Sequence, residues 1–323
     1  MTSSPLGRRL VACLLNVSEG RRRQLVETVA RAALYDPEGA RRAAATVLNI
    51  FYDRDYNRSV ITIAAGIDAI GDAVLSACEE ACRLIDMRDH TGAHPCMGAV
   101  DLVPIYPLGE DVGPEDCARE ARAVAQGLTE RVHGASVFLF GWADAPLHRG
   151  LAQRRKEMGW FRETTDGGPR PQRRFGLTGV GASPYVMNCN VTIDTRDIAA
   201  GRSIAAAIRE STPGGIPGVQ VLALPHEGAV EIACNVESVK GGPPGHVTAG
   251  EAWPCFSVGG QLYRHPPASL ITARVAELAG GRGLRTKGAA VAGFTPHECR
   301  AVAEFALTRG IAEFWKEQRG TRM

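Results

Sequence analysis

The sequence predicts a mixed α/β (α+β) fold that consists of two halves with the same order of elements. Short apolar runs rich in β-branched residues alternate with longer stretches of helical periodicity, and the order strand, helix, strand, strand, helix, strand occurs twice. A stretch of about twenty residues without a regular pattern, 161–183, separates the two copies. We therefore expect two ferredoxin-like β-α-β-β-α-β subdomains, residues 1–183 and 184–323.

The first half opens with a strand and a helix. The apolar run "LVACLLNV" at 10–17 predicts the strand, and Ser18 stands where it can cap a helix whose apolar face begins at Leu25. Two β-branched runs, at 45–51 and 58–65, are joined by the polar link "YDRDYN" and predict a pair of strands. These elements give the order strand, helix, strand, strand.

Helical periodicity over 68–86 and the strand "AVDLVPIYPL" at 99–108 complete the first copy. A helix near 114–132, a strand "SVFLF" at 136–140 and a helical segment near 146–158 follow. The irregular stretch comes next, and we interpret it as a linker or a functional loop, because loops of this length are uncommon inside a compact domain.

The second half repeats the order with one insertion. The segment 237–260 contains many glycines and prolines and is expected to separate a hairpin from the helix that follows it. Because each sheet would carry helices on one face only, the two bare sheet faces are expected to face each other across a ligand groove. The predicted elements are strand 185–193, helix 195–210, strands 219–224 and 229–236, helix 268–279, strand 289–294 and a last helix that opens with "TPHE".

Composition argues against several classes of protein. A net charge of +2 and 6% aromatic residues do not favour nucleic-acid binding, since sheets that bind bases stack them on aromatic side chains. No apolar run approaches the roughly 18–20 residues that cross a bilayer, so no membrane partner is expected. The nine cysteines form no CxxC pair, which predicts reduced thiols and a cytoplasmic protein. The glycines of "GLTGVGAS" are in the wrong order for a dinucleotide-binding GxGxxG motif.

The stretch "RDHTGAHPCMGAVD" at 88–101 concentrates the residues that carry chemistry. No metal site is predicted, because the pair His90 and His94 lacks the helix and the intervening glutamate of a zinc-binding HExxH motif. Cys96 is a candidate nucleophile, although a cysteine that opens a strand is more often a small buried hydrophobe. His90 and His94 are both candidates for a general base, and a hydrogen bond to the local backbone is the alternative for His94.

Several segments, in order, have the pattern of one known family. "LIDMRDHTGAHPCMGAVDLVPIYPL" resembles a segment in which a helix ending in LID runs into H-x-G-x-HPRMGA-x-D. "LLNVSEG" resembles an opening VPNFSEG, "NRSVITIAA" resembles NRTVYTFVG, and "SVFLFG" and "TTDGGPR" resemble VYLYG and DFGP segments. The family is the formiminotransferase domain, the folate-dependent half of formimidoyltransferase-cyclodeaminase, and the likeness extends more weakly over nearly the whole chain.

This resemblance implies a fold and a reaction. The fold has two α/β subdomains that face each other across a groove, in a homodimer. The reaction moves a formimino (or formyl) group between N-formimino-glutamate and N5 of tetrahydrofolate, and His90 occupies the position of the catalytic base. Tetrahydrofolate is then a cosubstrate, and no metal is implied.

The resemblance also implies which residues bind substrate and folate. Two departures from the family pattern are Cys96, where the family has the arginine of HPRMG, and Asn49, where it has an aspartate. They leave open a non-catalytic folate-binding protein that has lost the amino-acid donor site. The implied binding residues are Asn16, Asn57, Arg58, His94, Gly98, Asp101, Asp166, Gly167, Gly168, Pro169, Arg170, Arg173 and Arg174.

Overall fold

The computed structural model describes residues 7, 9–42, 44–158, 166–241 and 253–317. Contacts divide the chain into two compact units. The first unit contains the described residues up to Ser183 and those from Glu298 onward, and the second contains those from Pro184 to His297. Helices and sheets are combined in the chain, which confirms the predicted mixed α/β class. No helix in the described ranges is both long enough and apolar enough to cross a bilayer.

A six-stranded sheet forms the first unit. Its strands are β1 (Leu10–Val17), β2 (Ala45–Asp53), β3 (Arg58–Gly66), β4 (Val100–Pro107), β5 (Val137–Gly141) and β6 (Thr178–Ala182). They lie in the order β2-β3-β1-β4-β6-β5, and the first four pair antiparallel, whereas β6 runs parallel to both β4 and β5. The end of β1 and the starts of β3 and β4 therefore meet at one end of the sheet.

Helices cover the sheet of the first unit. In the helix Ile67–Leu84, buried residues such as Ile70, Val74, Ala77 and Ala81 recur every three to four positions, so one face of the helix packs into the core. A second apolar cluster contains Met158 with aromatic and aliphatic residues from the strands. The helices are α1 (Arg23–Ala32), α2 (Ile67–Leu84), α3 (Pro114–Arg131) and α4 (Leu151–Met158), with a 3-10 turn at Met87–Asp89.

Ser18 does not cap α1, so that prediction was wrong. The helix begins after Arg22, whose side chain makes no capping hydrogen bond. Ser18 is buried, and its Oγ donates a hydrogen bond of 2.6 Å to the carbonyl oxygen of Gly98. Ser18 thus ties the end of β1 to the loop before β4, a distant contact that a local capping pattern cannot reveal.

The prediction that 161–183 lacks regular structure was also wrong, because β6 occupies its end. Residues 159–165 lie outside the described part of the chain. The sequence of β6, "TGVGA", has low strand propensity because of its glycines. A Cβ atom on Gly179 would lie 2.7 Å from the ring of Phe138, and one on Gly181 would lie 2.6 Å from the ring of Phe140. The glycines therefore make room for two aromatic rings of the neighbouring strand.

A four-stranded antiparallel sheet forms the second unit. Its strands are β7 (Met187–Ile193), β8 (Val219–His226), β9 (Ala229–Val236) and β13 (Thr286–Val291), in the order β13-β7-β9-β8. Helix α5 (Ile198–Ile208) is capped by Asp197, whose side chain accepts hydrogen bonds from the N–H groups of Ala199 and Ala200. Helix α6 (Ala268–Gly280) also belongs to this unit, whereas helix α7 (Pro296–Thr308), from Glu298 onward, and a 3-10 turn at Phe314–Lys316 belong to the first unit.

The predicted insertion 237–260 contains ordered strands at both ends. A small sheet joins β10 (Val239–Lys240), β11 (Cys255–Val258) and β12 (Gln261–Arg264) in the order β10-β12-β11. Residues 242–252 lie outside the described part of the chain. The last strand was predicted at 289–294, but β13 lies earlier, because it pairs with β7 from Thr286 opposite Ile193.

Candidate active site

Strand pairing brings three predicted site residues to one end of the first sheet. Near the end of β1, Asn16 lies opposite Val60 of β3 and Leu102 of β4. Arg58 opens β3 and Asp101 lies near the start of β4, so the side chains of Asn16, Arg58 and Asp101 converge. Each of the three is at most 9% exposed. The sequence placed these residues on separate strands, and the antiparallel register explains why they meet.

Arg58 is the centre of a buried hydrogen-bond network. Its Nε and Nη2 donate to Oδ1 of Asn16 at 3.2 and 2.8 Å, and its Nη1 forms an ion pair with Oδ2 of Asp101. Nη1 also lies 3.7 Å from Sγ of Cys96. A guanidinium that uses this many donors in a buried place is held in one orientation.

Asp101 balances the positive charge of this network. It is fully buried, its Oδ1 accepts a hydrogen bond of 2.7 Å from the N–H of Met97, and its Oδ2 also accepts one of 3.2 Å from Nη2 of Arg155. Burial alone would raise the pKa of Asp101, but Arg58, Arg155 and the Met97 N–H together lower it below its ordinary value. The carboxylate is therefore ionised and tied to protein donors.

Arg155 is a network residue that the sequence did not indicate. It belongs to α4, in the basic segment "QRRKE", which by composition alone is typical of a solvated helix face. Its side chain is only 12% exposed, and burial lowers its pKa despite the opposing effect of Asp101. Its contact with Asp101 joins residues far apart in the sequence, so no local pattern distinguishes it from Lys156.

His90 lies beside this network and is positioned by Asn57. The amide orientation of Asn57 is fixed by two bonds, since its Oδ1 accepts from the N–H of Gly20 at 3.0 Å and its Nδ2 donates to the carbonyl oxygen of Thr91 at 3.2 Å. The same Nδ2 lies 3.4 Å from Nδ1 of His90. Asn57 has a left-handed backbone conformation, φ +49°, which asparagine tolerates better than most residues.

Nε2, the second ring nitrogen of His90, has a different environment from Nδ1. Nε2 is buried, and no described residue forms a hydrogen bond with it. A buried polar atom without a partner costs about 1–3 kcal/mol, so it requires an explanation, and a bound substrate is one. Burial lowers the pKa of His90 below its ordinary value, although the backbone of Ser18 and the charge of Glu19 oppose this shift. Burial therefore favours the neutral form of the ring.

His94 and Cys96 follow His90 in the same loop before β4. Nδ1 of His94 lies 2.8 Å from the carbonyl oxygen of Pro95, and its ring contacts Tyr56 edge to face with centroids 5.2 Å apart. His94 thus makes a contact with the local backbone, which is the alternative to a role as general base. Cys96 is 8% exposed, and its Sγ lies 3.6 Å from the carbonyl oxygen of His94.

Cys96 differs electrostatically from other buried cysteines of the chain. Burial opposes its ionisation, but His94 and Arg58 outweigh burial and lower the pKa of the thiol. Burial raises the pKa of Cys82 to about 12 and that of Cys189 to about 11.

Among the described residues, no group of three or more His, Cys, Asp or Glu side chains is arranged to hold a metal ion.

The predicted segment from Asp166 to Pro169 lies along β5. Oδ2 of Asp166 accepts a hydrogen bond of 2.7 Å from the N–H of Leu139, and it also pairs with Arg154. Gly167 forms an isolated antiparallel bridge with Val137. The Oγ of Ser136 donates to the carbonyl oxygen of Pro169, and a Cβ on Gly168 would collide with the backbone of Ala135. These contacts fasten the segment to the edge strand β5.

The remaining predicted residues follow on that same segment or face it. The Nη1 of Arg174 lies 3.5 Å from Oδ2 of Asp86, and its guanidinium stacks over the ring of Phe175. Gly98 lies against this segment, since a Cβ there would meet the carbonyl oxygen of Phe175 at 2.9 Å. The close approach that a glycine permits at position 98 is therefore to the chain itself. Arg170 and Arg173 are exposed.

The fold and the site together define an α/β protein whose first unit places a half-buried imidazole beside a buried network of arginine and carboxylate. Residues 10–183 match a family model described as the formiminotransferase domain, N-terminal subdomain. This match covers the whole of the site described above. The chain therefore belongs to the formiminotransferase family.

Similar proteins carry the names glutamate formimidoyltransferase and formimidoyltransferase-cyclodeaminase. A glutamate formimidoyltransferase from Thermoplasma acidophilum is 32% identical over 250 residues, which are 72% of this chain and 78% of that protein. A glutamate formimidoyltransferase from Streptococcus pyogenes serotype M1 is 30% identical over 218 residues, 64% and 70% of the two chains. The formimidoyltransferase-cyclodeaminase of Gallus gallus is 29% identical over 248 residues, 71% of this chain and 44% of that protein.

Proposed function

We propose that this protein transfers a formimino group from N-formimino-glutamate to N5 of tetrahydrofolate, with His90 as the base. Two similar proteins carry the name glutamate formimidoyltransferase. The observation that carries the proposal is the environment of His90, which Asn57 contacts at Nδ1 and which is buried at Nε2 without a described protein partner, so that burial favours the neutral ring. Nε2 can therefore exchange a proton with the substrate, and it accepts one in the tautomer that carries the ring hydrogen on Nδ1.

The reaction needs one group that can move a proton between two nitrogens. Attack of N5 on the amidine carbon gives a tetrahedral intermediate that holds both the N5 nitrogen and the glutamate nitrogen on one carbon. N5 must lose a proton and the departing nitrogen must gain one. A neutral imidazole accepts the first proton and returns it to the second nitrogen, and the lowered pKa of His90 favours this neutral form.

Asn57 and the Arg58 network position the imidazole. Nδ2 of Asn57 can only donate, so its contact of 3.4 Å with Nδ1 favours the tautomer with the ring hydrogen on Nε2, and the length of the contact leaves that preference weak enough for the ring to change tautomer. Asn57 precedes Arg58, whose guanidinium is bound to Asn16 and Asp101. The network thereby fixes the backbone from which Asn57 reaches His90. Holding both substrates near this ring supplies further rate acceleration.

A folate-binding protein without turnover is the second candidate function. The observation that favours it is the thiol of Cys96 at the position where the family pattern has an arginine, which removes a cation that a carboxylate of the donor can use. Against it stands Arg155, whose guanidinium reaches Asp101 in the same cluster. We further propose that the segment from Asp166 to Arg174 contacts folate, that the protein is a cytoplasmic homodimer, and that it requires no metal.

The proposal is tested with purified protein, tetrahydrofolate and N-formimino-glutamate, followed for N5-formimino-tetrahydrofolate. Parallel reactions with N-formyl-glutamate decide between the two donors, and calorimetric titration with tetrahydrofolate measures binding alone. Turnover with the formimino donor supports the transferase. Folate binding without turnover of either donor supports the second candidate, and absence of both contradicts the proposed function.

A further inference from the structure

Arg21 lies next to His90 and is held by two neutral oxygen atoms. Its Nε donates a hydrogen bond of 3.1 Å to the carbonyl oxygen of Arg54, and its Nη1 donates one of 3.2 Å to Oγ1 of Thr91. Thr91 follows His90 directly, and its carbonyl oxygen accepts from Asn57. The guanidinium is therefore anchored to the same loop that holds the imidazole.

The charge of Arg21 is not matched by an acidic group. Arg22 pairs with Glu19 and Arg88 pairs with Asp86, whereas within the described ranges Arg21 forms no ion pair. Its side chain is exposed. Nη2 is the donor nitrogen that neither of the two neutral bonds uses, so the guanidinium can bind one more acceptor without losing its anchors.

Arg21 also contributes to the electrostatics of the catalytic ring. Its positive charge is one of the influences that lower the pKa of His90, after burial, which is the largest. The two groups are thus close enough to interact electrostatically. An anion bound by Arg21 would lie within the same small region as the group that reacts at His90.

We propose that Arg21 binds the α-carboxylate of the formimino donor. This inference rests on the proposed function. In N-formimino-glutamate the α-carboxylate is attached to the carbon next to the reacting nitrogen, so it must lie within a few ångströms of the proton that His90 moves. A planar guanidinium fixed at two donors presents its remaining donors in a defined direction, which suits a carboxylate. Arg21 then sets the orientation of the amidine toward N5.

The glutamyl tail of folate carries the same chemical group and is the other source of a carboxylate. It is attached through the aminobenzoyl ring and lies far from N5 along the molecule, whereas the donor carboxylate is adjacent to the reaction centre. The position of Arg21 beside Thr91 and His90 therefore favours the donor. Separate KM values for the two substrates distinguish these sources.

The experiment measures kcat and both KM values for the full-length wild type and three variants. R21Q removes the charge, T91V keeps the charge but removes the acceptor that orients it, and R54Q is the matched control. R54Q removes an exposed cation of the same surface while the backbone oxygen that holds Arg21 remains. We expect R21Q to raise the KM for N-formimino-glutamate about tenfold or more and T91V to raise it by less. R54Q should leave this KM unchanged, and all three variants should keep the wild-type KM for tetrahydrofolate.

A donor analogue with an α-carboxamide in place of the α-carboxylate completes the test. The wild-type KM for this analogue should exceed its KM for the natural donor by about the same factor as R21Q raises the KM for the natural donor. In R21Q, the change from the natural donor to the analogue should raise the KM little further. If the wild type turns over and R21Q has an unchanged donor KM, the assignment of Arg21 is overturned but the proposed function is not. An increase confined to the tetrahydrofolate KM overturns it in favour of the folate tail. No turnover by the wild type overturns both the assignment and the proposed function.

Discussion

The two units order their strands in the same way but differ in the polar groups they carry. In the first unit, β2-β3-β1-β4 is extended by two parallel strands, and in the second, β8-β9-β7-β13 stands alone. The first unit buries Arg58 and Asp101 as an ion pair, whereas the second carries amides on its sheet. Asn188 donates to Asn235 at 2.7 Å, and Asn190 donates to Glu231 at 3.0 Å.

Carboxyl groups show the contrast most directly. The pKa of Asp101 lies below its ordinary value because buried cations surround it. In the second unit, burial and the nearby charge of Glu210 raise the pKa of Glu237 to about 7. The same chemical group is thus held ionised in one unit and is about half protonated at pH 7 in the other. The two pKa values differ because Arg58 and Arg155 offset the burial of Asp101, whereas no described arginine offsets the burial of Glu237.

Removing the charge of Asp101 should have the largest effect on stability. The variant D101N leaves two largely buried guanidiniums, Arg58 and Arg155, without their shared carboxylate. We expect a loss of about 3–5 kcal/mol in the free energy of unfolding, measured by urea denaturation. The control D86N removes a partly exposed carboxylate paired with Arg88 and should cost much less. A D101N protein as stable as the control would contradict the role given to the network.

Glu237 provides the opposite test in the second unit. The unfolded carboxyl ionises near pH 4.5, whereas the folded one ionises near 7, so stability is full below about pH 4.5 and is lost as pH rises toward 7. E237Q should remove this loss and stabilise the protein by about 1–2 kcal/mol at pH 8, and it should lack this benefit at pH 4. Urea denaturation at both pH values measures it. An equal effect at both would show that Glu237 is not the titrating group.

Substitution of Cys96 should have the smallest effect. Direct transfer between two nitrogens needs no covalent enzyme intermediate, so C96A should lower kcat by less than about tenfold, which corresponds to about 1.4 kcal/mol. C255A, which changes an exposed cysteine, is the control. Steady-state rates measure both. If C96A abolished turnover and C255A did not, the result would contradict this expectation. The lowered pKa of the Cys96 thiol would then indicate a nucleophile, unlike the other buried cysteines.

Strands were predictable where the signal is local. The runs that form β1 and β9 are continuous and rich in apolar residues, and their predicted limits match the structure. The strand β6 was missed because its glycines are explained only by Phe138 and Phe140 of another strand. Ser18 was assigned a local role for the same reason, since its partner Gly98 is distant in sequence.

The candidate site was predictable where it coincides with a motif. His90, Asn57 and Arg58 lie in segments that resemble family patterns, and the structure brings them together. Arg155 and Arg21 lie in basic runs whose members look equivalent in sequence. Only their tertiary partners, Asp101 for one and Thr91 for the other, distinguish them from solvated neighbours.

The kinetic contrast between His90 and His94 tests the central claim most directly. Both histidines lie in one loop, but only His90 has a buried nitrogen without a described partner, while His94 contacts the carbonyl oxygen of Pro95. H90Q should lower kcat for formimino transfer by about 10²–10⁴-fold and remove the acidic limb of the pH profile, which in the wild type should lie below about pH 6.5. H94Q should retain that limb. Equal losses in the two variants, or an H90Q enzyme with the wild-type pH profile, would contradict the assignment of His90 as the base.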